Sequence, residues 1–173
     1  MDRNVEIKAA VADLAAIEQP VRALADKGPV VLEQEDTFFD CPHGRLKLRR
    51  FSGKEQAELV YYERPASTGP KESKYLVHRT TEPVRLGTVL AASLGVRGVV
   101  RKSRTLYIIG PTRVHLDRVE GLGEYVELEV VRQPGETIAE GVAIAHDLMD
   151  KLGIRQDSLL EKAYIDLLEE AIR

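Results

Sequence analysis

Apolar and polar residues alternate with period two along much of the chain, the spacing of half-buried strands. In "NVEIKAAV", Asn4, Glu6 and Lys8 share one face and Val5 and Ile7 the other. "GRLKLRRF" sets Arg45, Lys47 and Arg49 against Leu46 and Leu48, and "ELVYYERP" puts Val60, Tyr62 and Arg64 on one parity. "GVVRKSRTLYII" places Lys102 and Arg104 together. "RVHLDRVEGLGEYVELEVV" predicts two strands around the turn "EGLGE", with Arg113, His115 and Asp117 on one parity, then Tyr125, Glu127 and Glu129. "DTFFD" and "KYLVHRT" carry weaker strand patterns.

Helical spacing fills the gaps. Leu14, Ile17, Val21 and Leu24 form a stripe from a cap at Asp13 to Gly28, with a kink or two short helices expected at Pro20. "EPVRLGTVLAASLG" predicts a helix entered at Pro83 and ended by Gly95. "TIAEGVAIAHDLMDKLG" opens with a capping box, Thr137 to Glu140, and "SLLEKAYIDLLEEAI" opens with another at Ser158 to Glu161. Residues 64–74 read as a flexible loop. The fold class is α+β, in one domain spanning 1–173.

The apolar strand faces must pack under these helices, which leaves the charged faces pointing at one another if the sheet curls. A concave surface holding Lys8, Lys47, Arg49, Arg64, Lys102, Arg104 and Arg113 with Glu6, Asp117, Glu127 and Glu129 is costly without compensation. A polyanion on the bases and a divalent cation on the acids would supply it. The alternative is an open sheet with a solvated charged face.

The totals narrow the function. The chain has 173 residues, 43% apolar and 31% charged, enough for one core. A net charge of −3 argues against a general nucleic-acid binder, while 25 Lys+Arg leave material for a basic cleft. One cysteine, an N-terminus without an apolar signal region, and no apolar run near the roughly 20 residues of a membrane span lead us to expect a cytoplasmic protein. Cys41 and His43 in "DCPHG" lack the second ligand pair of a zinc site.

These strands resemble the CYTH family, the triphosphate tunnel metalloenzymes. The Glu-x-Glu-x-Lys signature of that family falls on Asn4 to Lys8, with Asn4 at the first glutamate position. "GRLKLR", "YYERP", "VRKSR" and "RVHLDRVEGLGEYVELE" resemble its basic and acidic strands, and "LLEKAYIDLL" its closing segment. The similarity is nearest to the class IV adenylyl cyclase branch. It implies a closed or nearly closed antiparallel eight-stranded β tunnel with helices outside.

Within that resemblance, Glu6, Asp117, Glu127 and Glu129 are the candidate ligands for Mg²⁺ or Mn²⁺. Lys8, Lys47, Arg49, Arg64, Lys102, Arg104 and Arg113 are the candidate phosphate clamps, and Glu6, Lys8, Arg113 and Glu129 the candidate catalytic set. Asn4 removes one negative charge and weakens a second metal position. Arg45 is expected at the mouth, and Lys162 is weighed as a cation reaching in from the last helix. His115 is expected to hydrogen-bond a neighbouring carboxylate, or to carry a proton. The implied substrate is a small-molecule triphosphate, inorganic or ATP, with no nucleic-acid or membrane partner and with a homodimer left open. Hydrolysis is ranked first, because no adenine pocket is legible. Cyclisation of ATP to cyclic AMP and pyrophosphate comes second, and a non-catalytic polyphosphate- or nucleotide-binding module third.

Overall fold

The structure, a computed structural model, describes residues 1–172. Eight strands run β1 (Asp2–Ala10), β2 (Lys27–Phe39), β3 (Arg45–Phe51), β4 (Ala57–Glu63), β5 (Lys71–Thr80), β6 (Val96–Ile109), β7 (Thr112–Val119) and β8 (Gly123–Arg132). They close into an antiparallel barrel in the order β1-β5-β4-β3-β2-β6-β7-β8. Closure leaves no edge strand and sends alternate residues inward along every strand.

Four helices decorate this barrel: α1 (Leu14–Leu24), α2 (Pro83–Leu94), α3 (Ile138–Leu152) and α4 (Tyr164–Ile172). The principal core lies outside the barrel, where Ile7, Val114, Leu116, Val126 and Leu128 meet Leu14, Val21, Leu148, Met149 and Leu152 of α1 and α3. α2 covers Phe39, Leu48 and Ala57 with Leu86 and Leu90. The Thr137–Glu140 capping box forms as the sequence predicts, with both reciprocal hydrogen bonds at 3.1 Å. α3 lies close against β1 because Gly141 has no side chain; a Cβ there would sit 2.7 Å from Val5 Cγ2.

Several boundaries differ from the periodicity. α1 is one helix through Pro20, capped by Asp13 on Ala15 N, and it ends at Leu24. Proline removes the hydrogen bond to Ala16, but Ala16 is exposed, so its carbonyl is open to solvent, while buried Leu14 and Val21 hold the helix to the barrel. β2 begins at Lys27, far upstream of "DTFFD"; Gly28 and Pro29 disguise it, and the β2–β6 register shifts there. β5 claims residues 71–74 of the expected loop. The last helix starts at Tyr164, because Leu159 bridges to Ala9 and Leu160 N donates to Lys8 O at 2.8 Å. The Ser158 box therefore does not form. Among the described residues, no helix is long and apolar enough to cross a membrane.

Candidate active site: a tunnel with an acidic and a basic wall

The inward faces enclose a cavity of about 350 Å³. All seven cations named from the sequence line it, as do Glu6, Glu127 and Glu129. Strand order sets the layout, since β8 and β3 are four strands apart in either direction, as are β1 and β2. Carboxylates therefore gather on the wall of β1 and β8, opposite a basic wall centred on β2, to which β3 brings Lys47 and Arg49 and β6 brings Lys102.

On the basic wall, buried Asp36 of β2 organises three cations. Arg49 forks onto both of its oxygens at 2.8 Å, Lys102 Nζ lies at 3.0 Å and Lys47 Nζ at 3.5 Å. Burial pushes the Asp36 pKa up, but Arg49, Lys102 and Lys47 outweigh it and hold this carboxyl well below the usual range. One acid against three bases leaves an excess of positive charge. Burial, with Arg49 alongside and Asp36 opposing, lowers Lys47 to about 7. Burial likewise lowers Lys102 to about 8, against the pull of Asp36 and helped by Arg49. A wall that presses protons off its own lysines is suited to receive an anion.

The acidic wall is tied together by register. Glu6 pairs with Glu129 and Lys8 with Glu127 across β1–β8, while His115 faces Glu127 and Arg113 faces Glu129 across β7–β8. Arg113 Nη2 lies 3.0 Å from Glu129 Oε2, and Arg64 Nη1 donates to Glu6 Oε1 at 2.6 Å. Glu127 sits within 3.5 Å of Lys8 and 3.6 Å of Arg104. Burial raises the Glu127 pKa, yet Lys8 and the neighbouring bases bring it well below the usual glutamate range. Glu6 moves the other way: burial, reinforced by Glu129 and Glu127, outweighs Arg64 and raises it.

One end of the tunnel is stoppered by the start of α4. Tyr164 Oη donates to Asp117 Oδ2 at 2.7 Å, and Lys8 Nζ sits 3.7 Å above the Tyr164 ring while donating to Lys162 O. Arg45 Nη2 donates to Asp166 Oδ2 at 2.8 Å, so it fastens this stopper and is not at the mouth. The Lys162 ammonium pairs with Glu170 outside. At the open end the lining turns apolar: Leu32, Phe51, Tyr75, Val77 and Leu106 form a collar. That collar was not legible as a pocket, because its residues come from four separate strands.

The sequence grouped Asp117 with the metal ligands. The structure buries it completely, with Arg104 Nε and Nη2 on its two oxygens at 2.7 and 2.8 Å and Tyr164 on one of them. With its acceptors engaged, Asp117 orients Arg104. Among the described residues, His115 makes no hydrogen bond to a carboxylate; its Nδ1 stands 3.8 Å from both Glu127 and Glu129. Asp36, Gln34, Ser73 and Tyr62 were missed. Asp36 had a signal, since it shares parity with Phe38 in "DTFFD" and falls opposite Arg49.

Five buried polar atoms facing the tunnel lack a hydrogen-bond partner among the described residues: Asn4 Oδ1, Gln34 Oε1, Arg64 Nη2, Arg113 Nε and His115 Nδ1. Each such group costs about 1–3 kcal/mol if nothing meets it. Two are donors suited to anionic oxygen. The acceptors on the acidic wall, with Glu127 and Glu129, fit a divalent cation.

The sequence model of the CYTH domain matches residues 2–164, from β1 to the tyrosine of the stopper. The chain belongs to the CYTH family. Adenylate cyclase CyaB of Aeromonas hydrophila is 24% identical over 181 residues, covering 98% of this chain and 90% of that protein. Among solved structures, the PH1012 protein of Pyrococcus horikoshii OT3 matches with a TM-score of 0.85 at 26% identity, over 95% of this chain and 99% of that one. A putative adenylyl cyclase from Hippeastrum, described as having a dominant triphosphatase activity, shares the fold at a TM-score of 0.68 and 14% identity, over 98% and 96% of the two chains. The eight strands and the tyrosine of the stopper thus fall inside the matched span.

Proposed function

We propose that this CYTH protein is a divalent-metal-dependent triphosphatase acting on an inorganic or organic triphosphate inside the tunnel. The observation that carries this reading is the facing of a cation-rich wall, in excess over its one acid, against a carboxylate wall that fits a metal. Arg49, Lys47 and Lys102 hold the phosphate chain from one side, and Arg64, Arg104 and Arg113 close on it from the other. Glu127 and Glu129 hold Mg²⁺ or Mn²⁺, with Glu6 alongside. Bound there, such an ion would supply charge neutralisation at the phosphoryl oxygens. Lys8, fixed over Tyr164, marks the inner limit of the chain. Water attacks the terminal phosphorus and its bond to the bridging oxygen breaks, so the attacked group becomes orthophosphate. The diphosphate end (or nucleoside diphosphate) departs as leaving group, and the proton of water passes to solvent or to the departing oxygen; positioning and electrostatics carry the rate.

A specific observation keeps adenylyl cyclase as the second reading. The apolar collar at the mouth offers a surface for a nucleoside, and the Aeromonas relative is named for that activity. In that reaction the ribose 3′-oxygen attacks the α-phosphorus and pyrophosphate leaves.

Product analysis separates them. Tripolyphosphate and ATP are each incubated with protein and Mg²⁺ or Mn²⁺, with Glu129→Ala as control. Phosphate released by the native protein and lost in the variant supports the triphosphatase. Cyclic AMP with equimolar pyrophosphate replaces it with the cyclase, and binding without turnover makes the tunnel a binding module.

A further inference from the structure

His115 projects from β7 into the acidic wall and is 5% exposed. Its Nδ1 is equidistant, at 3.8 Å, from Glu127 Oε2 and Glu129 Oε1. That separation is too long for a hydrogen bond to either, and Nδ1 has no other partner among the described residues. Donor atoms of these three side chains all lie within 4.8 Å of one another. Ligands that share one ion at about 2.1–2.2 Å stand about 3–4 Å apart, so the spacing suits a common cation. Asn4 Oδ1, 4% exposed and unpartnered, belongs to the same wall, two residues along β1 from the partner of Glu129.

We propose that His115 Nδ1 is a nitrogen ligand to the divalent ion held by Glu127 and Glu129, and that it biases this site toward Mn²⁺ over Mg²⁺. The inference rests on the metal-dependent reading above. Its chemistry is the difference between a mixed and an all-oxygen donor set. Mg²⁺ holds oxygen ligands and its own water tightly, whereas imidazole nitrogen favours transition ions. The neutral amide of Asn4 and the imidazole of His115 both shift the wall away from the charged oxygen set that Mg²⁺ prefers. Lys8 and Arg113 approach the oxygens turned away from His115, Glu127 Oε1 and Glu129 Oε2; Arg104 stands 3.6 Å from Glu127 Oε2, the oxygen His115 faces, and none of the three hydrogen-bonds Nδ1.

The test uses the full chain and the metal, first alone and then with tripolyphosphate. Pulsed electron paramagnetic resonance on Mn²⁺ bound to the native protein reads whether a ¹⁴N nucleus couples to the ion. Calorimetric titrations of Mn²⁺ and Mg²⁺ into the native protein and His115→Gln read selectivity. We expect nitrogen coupling, and a loss of roughly tenfold or more in Mn²⁺ affinity in the variant, with Mg²⁺ affinity changed less than about twofold. Mn²⁺ bound with no nitrogen coupling overturns the role of His115 and leaves the metal reading standing. Failure of the native protein to bind either ion, with or without tripolyphosphate, overturns both. The coupling is read on the native protein, so an unstable variant does not remove the test.

Discussion

Asp36 and Lys47 show how single side chains make the tunnel anion-receptive. Asp36 is 1% exposed and meets three cations, so Asp36→Asn leaves Arg49, Lys47 and Lys102 facing one another with no counter-charge. We expect this to destabilise the ligand-free protein by about 3–5 kcal/mol, and tripolyphosphate to restore part of the loss by replacing the missing charge. Urea midpoints with and without tripolyphosphate measure both effects; equal destabilisation in the two would show that the anion does not reach this wall. Lys47, at about 7 when folded against the 10.5 of a free lysine, binds fewer protons folded than unfolded between those pH values. The sign of its contribution follows: stability of the ligand-free protein rises with pH across that window. A bound polyanion reverses the depression and draws a proton onto Lys47. Lys47→Arg keeps its charge throughout, so the affinity ratio of variant to native protein for tripolyphosphate should climb between pH 7 and 9, at most about tenfold per unit. A flat ratio would mean that Lys47 does not contact the anion.

At the level of elements, close packing of helix on strand fixes where the walls stand. Gly141 lets α3 approach β1 so closely that a Cβ would meet Val5 Cγ2 at 2.7 Å and Arg132 Cδ at 3.0 Å. Gly141→Ala gains up to about 1 kcal/mol in helix propensity but forces β1, which carries Asn4, Glu6 and Lys8, away from α3. Overpacking costs about 1–3 kcal/mol, so we expect a net loss of stability, read as a lower urea midpoint at unchanged slope. A rise in midpoint would show that the helix shifts freely. Which elements could be read in advance follows the same physics. β1, β3, β7 and β8 were legible because one face is charged and the other is clamped under α1, α2 or α3, which enforces strict alternation. The first half of β2 was not, because Val30 and Val31 lie beyond that covering, exposed on both parities after Gly28 and Pro29. The start of α4 was misplaced for a tertiary reason: Leu159 and Leu160 give their backbone to β1, a demand invisible in local helical spacing.

On the scale of the whole molecule, barrel closure turns eight separate strand faces into two opposed walls and a stopper. Parity alone named the seven cations and Glu6, Glu127 and Glu129 that line the cavity. It could not say which cations share Asp36, that Asp117 is consumed by Arg104 and Tyr164, or that His115 stands between two carboxylates, because each depends on strand neighbours far apart in sequence. The central claim is a division of labour: the wall of Asp36, Arg49, Lys47 and Lys102 grips the triphosphate, and the wall of Glu127 and Glu129 adds the metal. The most direct measurement is calorimetric titration of tripolyphosphate into chelator-treated protein, beside Arg49→Ala and Glu129→Gln. Our reading predicts one site per chain, weakened roughly tenfold to a hundredfold by Arg49→Ala and not weakened by Glu129→Gln. Absence of metal-free binding, or equal weakening by both substitutions, would contradict it.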